Sequence, residues 1–375
     1  KQKTAYEMLR SLVGSEMCIR DRFTVGGSLW LWEARSARQL QDRPPEQAIA
    51  HLAWSEDGRW LAWGAHPDGP YRAKASLGLF DRTSGELRWF GLPADVAALT
   101  WTPDGRIAFR MDGQTSPVTL LDPRTGTQQA LAPLGLLDWS LSQGLLAYTR
   151  SDGLYLYDPS AGQERRLVAA AQPTEGLDAI QWSPRGDAIA LRAWRSGRAA
   201  MGLLHPGSGE TASIPLVAAP FAERAAPRVQ GAWSPDGARY AALSSGTATE
   251  TLPTVLYVAA VPAPGGDPEW RELLRLPAAA EPAGPAWSPD GQWVAVAVGG
   301  EVWLVDMSGA ATLRHAFAYP QPRWSALAWA PDGSGLLGAL LHGGEGRLYW
   351  LSTSGAEPVL LLDGQIGTVA WAPLP

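Results

Sequence analysis

The chain has 375 residues, a formal net charge of -6 and a single Cys, and 18% of its residues are charged. One Cys excludes a disulfide framework, an iron–sulfur site and a Cys-based zinc site, and the acidic balance disfavours nucleic acid as a partner. The 41 Gly, 31 Pro and 19 Trp argue against a helical bundle and indicate many short strands joined by tight turns. No apolar run reaches the roughly 18 residues that a membrane-spanning helix needs.

The first 22 residues share no pattern with the rest of the chain. Residues 1–22 resemble the translation of a sequencing-library adapter, because two separate adapter stretches fit in frame over Lys1–Glu7 and Met17–Arg22. The alternative is a genuine N-terminal amphipathic helix or targeting peptide. We exclude this segment from the fold prediction and treat residues 23–375 as one domain. Cys18 is the only Cys, so this domain has none, and its Arg- and Ala-rich composition suggests a GC-rich bacterial genome.

Three short strands are predicted first, at Phe23–Val25, Leu29–Trp32 and Ala37–Leu40. A pattern of the type Trp-Ser-Pro-Asp-Gly then recurs at intervals of roughly 38 to 54 residues, close to the period of a four-stranded propeller blade. Its copies begin at Trp54, Trp101, Trp139, Trp182, Trp233, Trp287 and Trp329, and an eighth, incomplete copy begins at Trp371.

Each repeat predicts four strands. A short apolar strand ends at the Trp, and the turn that follows uses Pro to preset φ and Gly to adopt positive φ. A second apolar strand, a loop and a third strand ending in Asp come next, as in Leu77–Asp81 and Val302–Asp306. A Ser/Thr-Gly turn then leads to a weaker outer strand.

The repeated Asp residues of the first turn are predicted to be structural. An Asp at one fixed turn position in successive repeats is typical of a side chain that bonds nearby backbone N–H groups. A calcium or acid–base site is the alternative. The residues concerned are Asp57, Asp104, Asp236, Asp290 and Asp332.

This repeat resembles the WD-like repeat of TolB-type β-propellers, and similar blades occur in the propeller domains of prolyl oligopeptidase and dipeptidyl peptidase families. The resemblance covers nearly everything from Phe23 to Trp371. It implies an all-β fold of four-stranded blades, and it favours a periplasmic, cell-envelope or extracellular protein. Function belongs to sites rather than to folds, so the resemblance names no ligand.

The two ends of the chain are complementary. The N-terminal strands lack a first strand, and Thr368–Trp371 is a first strand without the other three. Their pairing would close a propeller of eight blades and leave no open sheet edge. The alternative is seven blades with a separate N-terminal hairpin.

The sequence contains no recognisable catalytic, cofactor-binding or metal-binding motif. The five His show no metal-ligand spacing, and neither a P-loop nor a Gly-x-Ser-x-Gly nucleophile motif occurs. No cofactor is predicted. The one local basic and aromatic cluster lies around Trp194, Arg195 and Arg198, which are the candidate binding residues for an acidic ligand or partner. The alternative, which we favour, is a solvated hairpin tip.

Two functions remain open. The first is a non-catalytic, monomeric module that binds a protein, peptide or glycan through one face or the central funnel, with any membrane contact made by a missing N-terminal anchor. The second is the propeller domain of a prolyl oligopeptidase-like peptidase, or a propeller hydrolase or lyase with a site in its channel. The absence of a catalytic motif favours the first.

Overall fold

In the computed structural model the described residues run from Asp21 to Trp371, and every regular element among them is a β-strand. Within this part of the chain no helix is long and apolar enough to cross a membrane. The description omits residues 26–27, 34–35, 42–46, 68–74, 113–116, 134–136, 141, 151, 170–176, 196–197, 208–216, 219–227, 247–251, 265, 267, 278–281, 309, 317–322, 343–344 and 364–365.

The described strands form eight four-stranded sheets, A to H, in which neighbouring strands pair antiparallel. Sheet A combines β1 (Asp21–Val25), β2 (Ser28–Glu33), β3 (Ser36–Gln41) and β32 (Ile366–Trp371). Sheet B contains β4 (Gln47–Trp54), β5 (Trp60–Pro67), β6 (Ser76–Asp81) and β7 (Glu86–Gly91). Sheet C contains β8 (Val96–Trp101), β9 (Ile107–Met111), β10 (Pro117–Leu121) and β11 (Gln128–Pro133). Sheet D contains β12 (Leu137–Ser140), β13 (Leu145–Arg150), β14 (Gly153–Asp158) and β15 (Gln163–Ala169).

The remaining four sheets follow the same order. Sheet E contains β16 (Leu177–Trp182), β17 (Ile189–Arg195), β18 (Arg198–Leu204) and β19 (Val217–Ala218). Sheet F contains β20 (Arg228–Trp233), β21 (Arg239–Ser245), β22 (Thr254–Ala260) and β23 (Arg271–Leu276). Sheet G contains β24 (Ala283–Trp287), β25 (Trp293–Val298), β26 (Glu301–Asp306) and β27 (Ala311–Ala316). Sheet H contains β28 (Arg323–Trp329), β29 (Gly335–His342), β30 (Glu345–Ser352) and β31 (Val359–Asp363).

The chain divides into two compact units. The first comprises Lys1–Val96 and Ala280–Pro375 and holds sheets A, B, G and H, and the second comprises Ala97–Ala279 and holds sheets C to F. The single domain over residues 23–375 stays a prediction.

Sheet A joins the two ends of the chain. β1 pairs with β2 on one side and with β32 on the other, with Phe23 opposite Val369. The N-terminal strands and the C-terminal first strand therefore share one sheet, while the number of blades in a closed ring stays a prediction. β1 begins at Asp21, two residues inside the predicted adapter segment, and residues 1–20 lie outside the described part.

The first turn of the repeat has the same backbone hydrogen bond and a Gly with positive φ in sheets B, C, E, F, G and H. In sheet F the Gly237 N–H donates to the Ser234 carbonyl at 2.8 Å, and Gly237 has φ of 64°. A residue with a Cβ is strained at this φ, so the Gly of the repeat is required to reverse the chain. The two apolar strands that flank the turn are thereby brought into an antiparallel pair.

Two of the repeated Trp residues lie in cores that consecutive sheets share. Trp182 packs with Leu154 and Leu191 in a core that sheets D and E share, and Trp329 packs with Leu304 and Leu336 in a core that sheets G and H share. The indole N–H of three of the repeated Trp residues also donates to a carbonyl oxygen on the first strand of the preceding sheet. These bonds are Trp182 to Asp138 at 3.0 Å, Trp233 to Gln181 at 3.2 Å and Trp329 to Ala286 at 2.9 Å.

We expect Trp329→Phe to cost about 1 kcal/mol more of the free energy of unfolding than Trp139→Phe, as measured by urea unfolding. Both substitutions remove a buried indole, but only the first breaks a known hydrogen bond, whose net value is about 1 kcal/mol. Trp139 Nε1 has no hydrogen-bond partner among the described residues. Equal losses would show that the indole bond between sheets adds nothing to packing.

Sheet B contains a tightly packed aromatic row. Trp63 on β5 lies opposite Gly78 on β6, which lies opposite Trp89 on β7. Trp63 is fully buried, and its ring meets that of Trp89 edge to face at 5.3 Å. A Cβ on Gly78 would lie 2.2 Å from a carbon of the Trp63 ring. Because Gly78 has no side chain, the Trp63 ring can lie over β6 and contact Trp89 on β7.

Candidate functional site

The predicted binding residues lie at a hairpin of sheet E. Trp194 and Arg195 end β17, Arg198 begins β18, and Arg195 lies opposite Arg198 across the hairpin. Their side chains are outside the described part of the structure. The contribution of Trp194, Arg195 and Arg198 to binding stays a prediction.

The side chains of the repeated turn Asp residues accept hydrogen bonds from groups of their own turns. Ser234 Oγ donates to Asp236 Oδ1 at 2.5 Å, and the Ala238 N–H donates to the same oxygen at 3.1 Å. Asp57 and Asp290 accept the equivalent pair of bonds, the hydroxyl of Thr102 donates to Asp104, and Asp332 accepts from the N–H of Ser334. The hydroxyl bonds from Ser234 and Ser288 lower the pKa of Asp236 and Asp290. Among the described residues no three His, Cys, Asp or Glu side chains are grouped as a metal site would require.

In sheet B a partly buried ion pair is attached to this turn. Arg59 donates from Nη2 to Asp81 Oδ2 at 2.9 Å and from Nε to Asp81 Oδ1 at 3.2 Å. The Asp81 side chain is 6% exposed. The hydrogen bond from Arg59 holds the pKa of Asp81 down at about 2, against the opposing effect of burial. This pair fixes the end of β6 to the first turn, so it is structural.

We expect Asp81→Asn to lower the free energy of unfolding by about 2 kcal/mol at pH 7, because the ionised carboxylate is the more stable form in the fold. The folded pKa lies below the unfolded value, so this stability is present above about pH 4 and is lost as the pH falls towards 2. Urea unfolding across this pH range measures it. Asp122→Asn, at the equivalent position of sheet C, is the control, and an equal loss in both variants would contradict the role of Arg59.

A second feature departs from the repeat, at the residue immediately before each repeated Trp. This position is Ala in five of the eight copies and polar in the three consecutive copies of sheets C, D and E. The alanines are Ala53, Ala232, Ala286, Ala328 and Ala370, and the polar residues are Thr100, Asp138 and Gln181. We call Thr100, Asp138 and Gln181 the polar sector. All three lie on the first strands of sheets in the second unit.

Asp138 is the charged member of the polar sector, and it is directed at the next sheet. Asp138 Oδ2 accepts the backbone N–H of Trp182 at 2.7 Å, while its carbonyl accepts the Trp182 indole. β12 and β16 are the edge strands of sheets D and E. A carboxylate on one edge strand thus binds an amide on the adjacent edge strand.

Burial raises the pKa of Asp138 to about 6, and the backbone amides of Trp182 and Trp139 offset this only in part. A half-buried carboxylate that is ionised at neutral pH lowers the stability of the fold. Since Ala occupies the same position in five copies, the repeat itself does not require a carboxylate there. A costly polar group that the fold does not need is a candidate functional residue.

Gln181 continues the polar sector in sheet E. Its side chain is exposed, and its Oε1 accepts the Tyr240 hydroxyl at 3.3 Å. Tyr240 is buried against Trp233 in sheet F. Thr100 is half-buried at the same position of sheet C. The sequence already held the signal for this site, which is visible when the residues before each Trp are compared.

Sheet D holds a further polar cluster that is internally paired. Arg150 donates to both carboxylate oxygens of Glu164, at 2.8 and 2.7 Å, and Tyr148 donates its hydroxyl to the same group. The Arg150 guanidinium also lies 4.8 Å from the centre of the Tyr155 ring. These contacts join β13, β14 and β15 and assign the cluster to the stability of the sheet.

Comparisons with known proteins establish the fold. No protein-family model and no curated protein matches the chain. It is similar to the structure of dihydro-heme d1 dehydrogenase NirN in complex with DHE, with 14% identity, a TM-score of 0.65 and coverage of 96% of this chain and 77% of that one. The chain has a β-propeller fold.

Two further structures match at similar identity. Kuenenia stuttgartiensis hydrazine synthase is 15% identical, with a TM-score of 0.53 over 88% of this chain and 97% of that one. The β-propeller domain of Myceliophteria thermophila Cps50 (Swd1) is 16% identical, with a TM-score of 0.52 over 83% of this chain and 99% of that one. At these identities the similarity shows the fold alone.

Proposed function

We propose that this β-propeller is a non-catalytic binding module, and that its ligand, a protein, peptide or glycan, contacts the polar sector of Thr100, Asp138 and Gln181. The observation that carries this proposal is the replacement of Ala by polar residues in three consecutive repeats, one of them an energetically costly carboxylate. The WD-like repeat favours a TolB-type propeller, the Arg- and Ala-rich composition favours a bacterial source, and the acidic net charge disfavours nucleic acid as a ligand. We propose that the protein acts as a monomer.

The second candidate is a propeller hydrolase or lyase, or the propeller part of a prolyl oligopeptidase-like peptidase. Catalysis needs several groups held together in one place. The turn carboxylates described above are each bonded within their own turns, which favours binding over catalysis.

The test is a comparison of the full chain with the triple variant Thr100→Ala/Asp138→Ala/Gln181→Ala on peptide and glycan arrays at pH 7.5. This variant restores the residue that the other five repeats carry, so we expect it to keep its strand content and to lose the array ligands. The triple variant Trp194→Ala/Arg195→Ala/Arg198→Ala is the matched control for the predicted hairpin site.

Three outcomes would contradict the proposal. Ligands that the polar-sector variant retains and the hairpin variant loses would move the site to the hairpin. If the full chain bound no peptide and no glycan on the arrays, these two classes of ligand would be excluded. Hydrolysis of peptide or glycoside substrates by the full chain would favour the catalytic alternative.

A further inference from the structure

Asp138 carries the only charge found at the repeat position before the Trp. We propose that Asp138 binds a cationic side chain, arginine or lysine, of a peptide ligand. This inference rests on the proposed function, because it names the chemical group that the polar sector receives.

The geometry leaves room on the carboxylate for further donors. Asp138 accepts the backbone N–H of Trp182 at Oδ2, and the amide of Trp139 is the second backbone donor. An ionised carboxylate offers about four acceptor positions. The remaining positions suit the N–H groups of a guanidinium or an ammonium, both of which carry donors only. Asp138 is half-buried in the fold, so part of the residue is exposed to solvent.

The energetics favour a cation over a neutral group. Burial has already removed much of the hydration of the Asp138 carboxylate, and two backbone amides replace it only in part. A cation at hydrogen-bond distance stabilises the ionised form directly, through an interaction that a partly buried site screens less than water does. A sugar hydroxyl or a peptide amide contributes only a neutral donor to the same carboxylate.

The surroundings of Asp138 support the same ligand class. Thr100 and Gln181 supply neutral oxygen acceptors at the equivalent positions of the neighbouring sheets. Three other carboxylates of the second unit are paired with an Arg residue of their own sheet, in the pairs Arg150–Glu164, Arg106–Asp104 and Arg275–Glu272, which shows the type of partner that Asp138 would accept. The chain also has a net charge of -6, and an acidic protein attracts cationic ligands over longer distances.

The experiment uses the full chain labelled with ¹⁵N and follows the backbone amide of Trp182, which donates to the carboxylate in question. The probes are N-acetyl-arginine amide, N-acetyl-lysine amide and N-acetyl-citrulline amide at pH 7.5 and low salt. Citrulline has nearly the shape of arginine and no charge. We expect arginine and lysine to shift the Trp182 amide resonance saturably, and citrulline to bind at least about tenfold more weakly.

Asp138→Asn is the matched protein control, because Asn keeps an acceptor for the Trp182 N–H and removes the charge. We expect this variant to lose at least about tenfold in affinity for the arginine probe. Equal binding of arginine and citrulline, or unchanged binding by Asp138→Asn, would overturn the inference.

Failure of the inference is distinguishable from failure of the proposed function. An array ligand that contains no cation and is lost only in the triple alanine variant would refute the cation and leave the polar sector as the binding site. An array ligand that the triple variant retains would refute the proposed function itself.

Discussion

Asp138→Asn is expected to raise the free energy of unfolding by about 2 kcal/mol at pH 7, because it removes a carboxylate that burial makes costly to ionise. The folded pKa of about 6 lies above the ordinary value of 3.8. The wild-type fold is therefore favoured below about pH 4, loses stability as the pH rises to 6, and carries a constant penalty above that pH. Urea unfolding at several pH values between 4 and 8 measures the difference between the two proteins.

The control for this prediction is Asp290→Asn. The hydroxyl of Ser288 lowers the pKa of Asp290, so this substitution should destabilise the fold or leave it unchanged at pH 7. A gain of stability in Asp138→Asn that is absent in Asp290→Asn, and that disappears near pH 4, would support the assignment. A loss of stability in Asp138→Asn would show that the stronger bond from the Trp182 N–H to a charged acceptor outweighs the cost of the buried charge.

Gly78→Ala is expected to lower the free energy of unfolding by about 3 kcal/mol, because the new methyl group would overlap the buried Trp63 ring. Three atoms of that ring lie within 2.6 Å of the position that an ideal Cβ would take, the nearest at 2.2 Å. The ring is fully buried, so it has no open space into which to turn. Thermal and urea unfolding monitored by Trp fluorescence measure the loss.

Gly91→Ala in the same sheet is the matched control, because a Cβ at Gly91 meets nothing within 4 Å. We expect it to change stability by less than about 0.5 kcal/mol. In a Trp63→Leu background, Gly78→Ala should cost less than it does in the wild-type protein, since the smaller side chain makes room for the methyl group. A fully stable Gly78→Ala variant would contradict the packing described for Trp63.

Much of the architecture follows from local sequence. The Trp-Ser-Pro-Asp-Gly turn combines a fixed φ, a side-chain bond and a positive φ, and these effects act within five residues. The complementary strands at the two chain ends are equally visible, and β1 pairs with β32 as the missing first strand requires. Such features are predictable because each depends on a short segment or on the count of strands.

Other features depend on pairing across strands and were not predicted. The gap at Gly78 exists only because Trp63, Gly78 and Trp89 lie in register across three strands. Likewise the Arg59–Asp81 pair joins residues of a turn and a strand end that are 22 positions apart. Sequence patterns give the type of each strand but not the partner of each side chain.

The candidate site combines a pattern that is visible in the sequence with contacts that only the structure shows. Thr100, Asp138 and Gln181 were readable from the repeat, but their significance depended on the burial of Asp138 and on its bond to Trp182, which only the structure supplies. The cluster that the sequence did single out, Trp194, Arg195 and Arg198, has a described backbone at a hairpin and stays a prediction.

Stability and binding oppose each other at Asp138. The same burial that makes the carboxylate costly in the free protein makes it selective for a cation, and proteins commonly retain such costs at functional positions. The Asp138→Asn variant should therefore be the more stable protein and the weaker binder.

The central claim is that Asp138 is a half-buried acid held by backbone amides alone, and its carboxyl pKa tests this most directly. A ¹³C-detected NMR titration of the side-chain carboxyl of Asp138 measures it, with Asp290 as an internal reference. We expect a pKa of about 6 for Asp138 and a pKa below the usual range for Asp290. A pKa of Asp138 at or below about 4 would show that the carboxylate is well solvated or paired, and would contradict the claim.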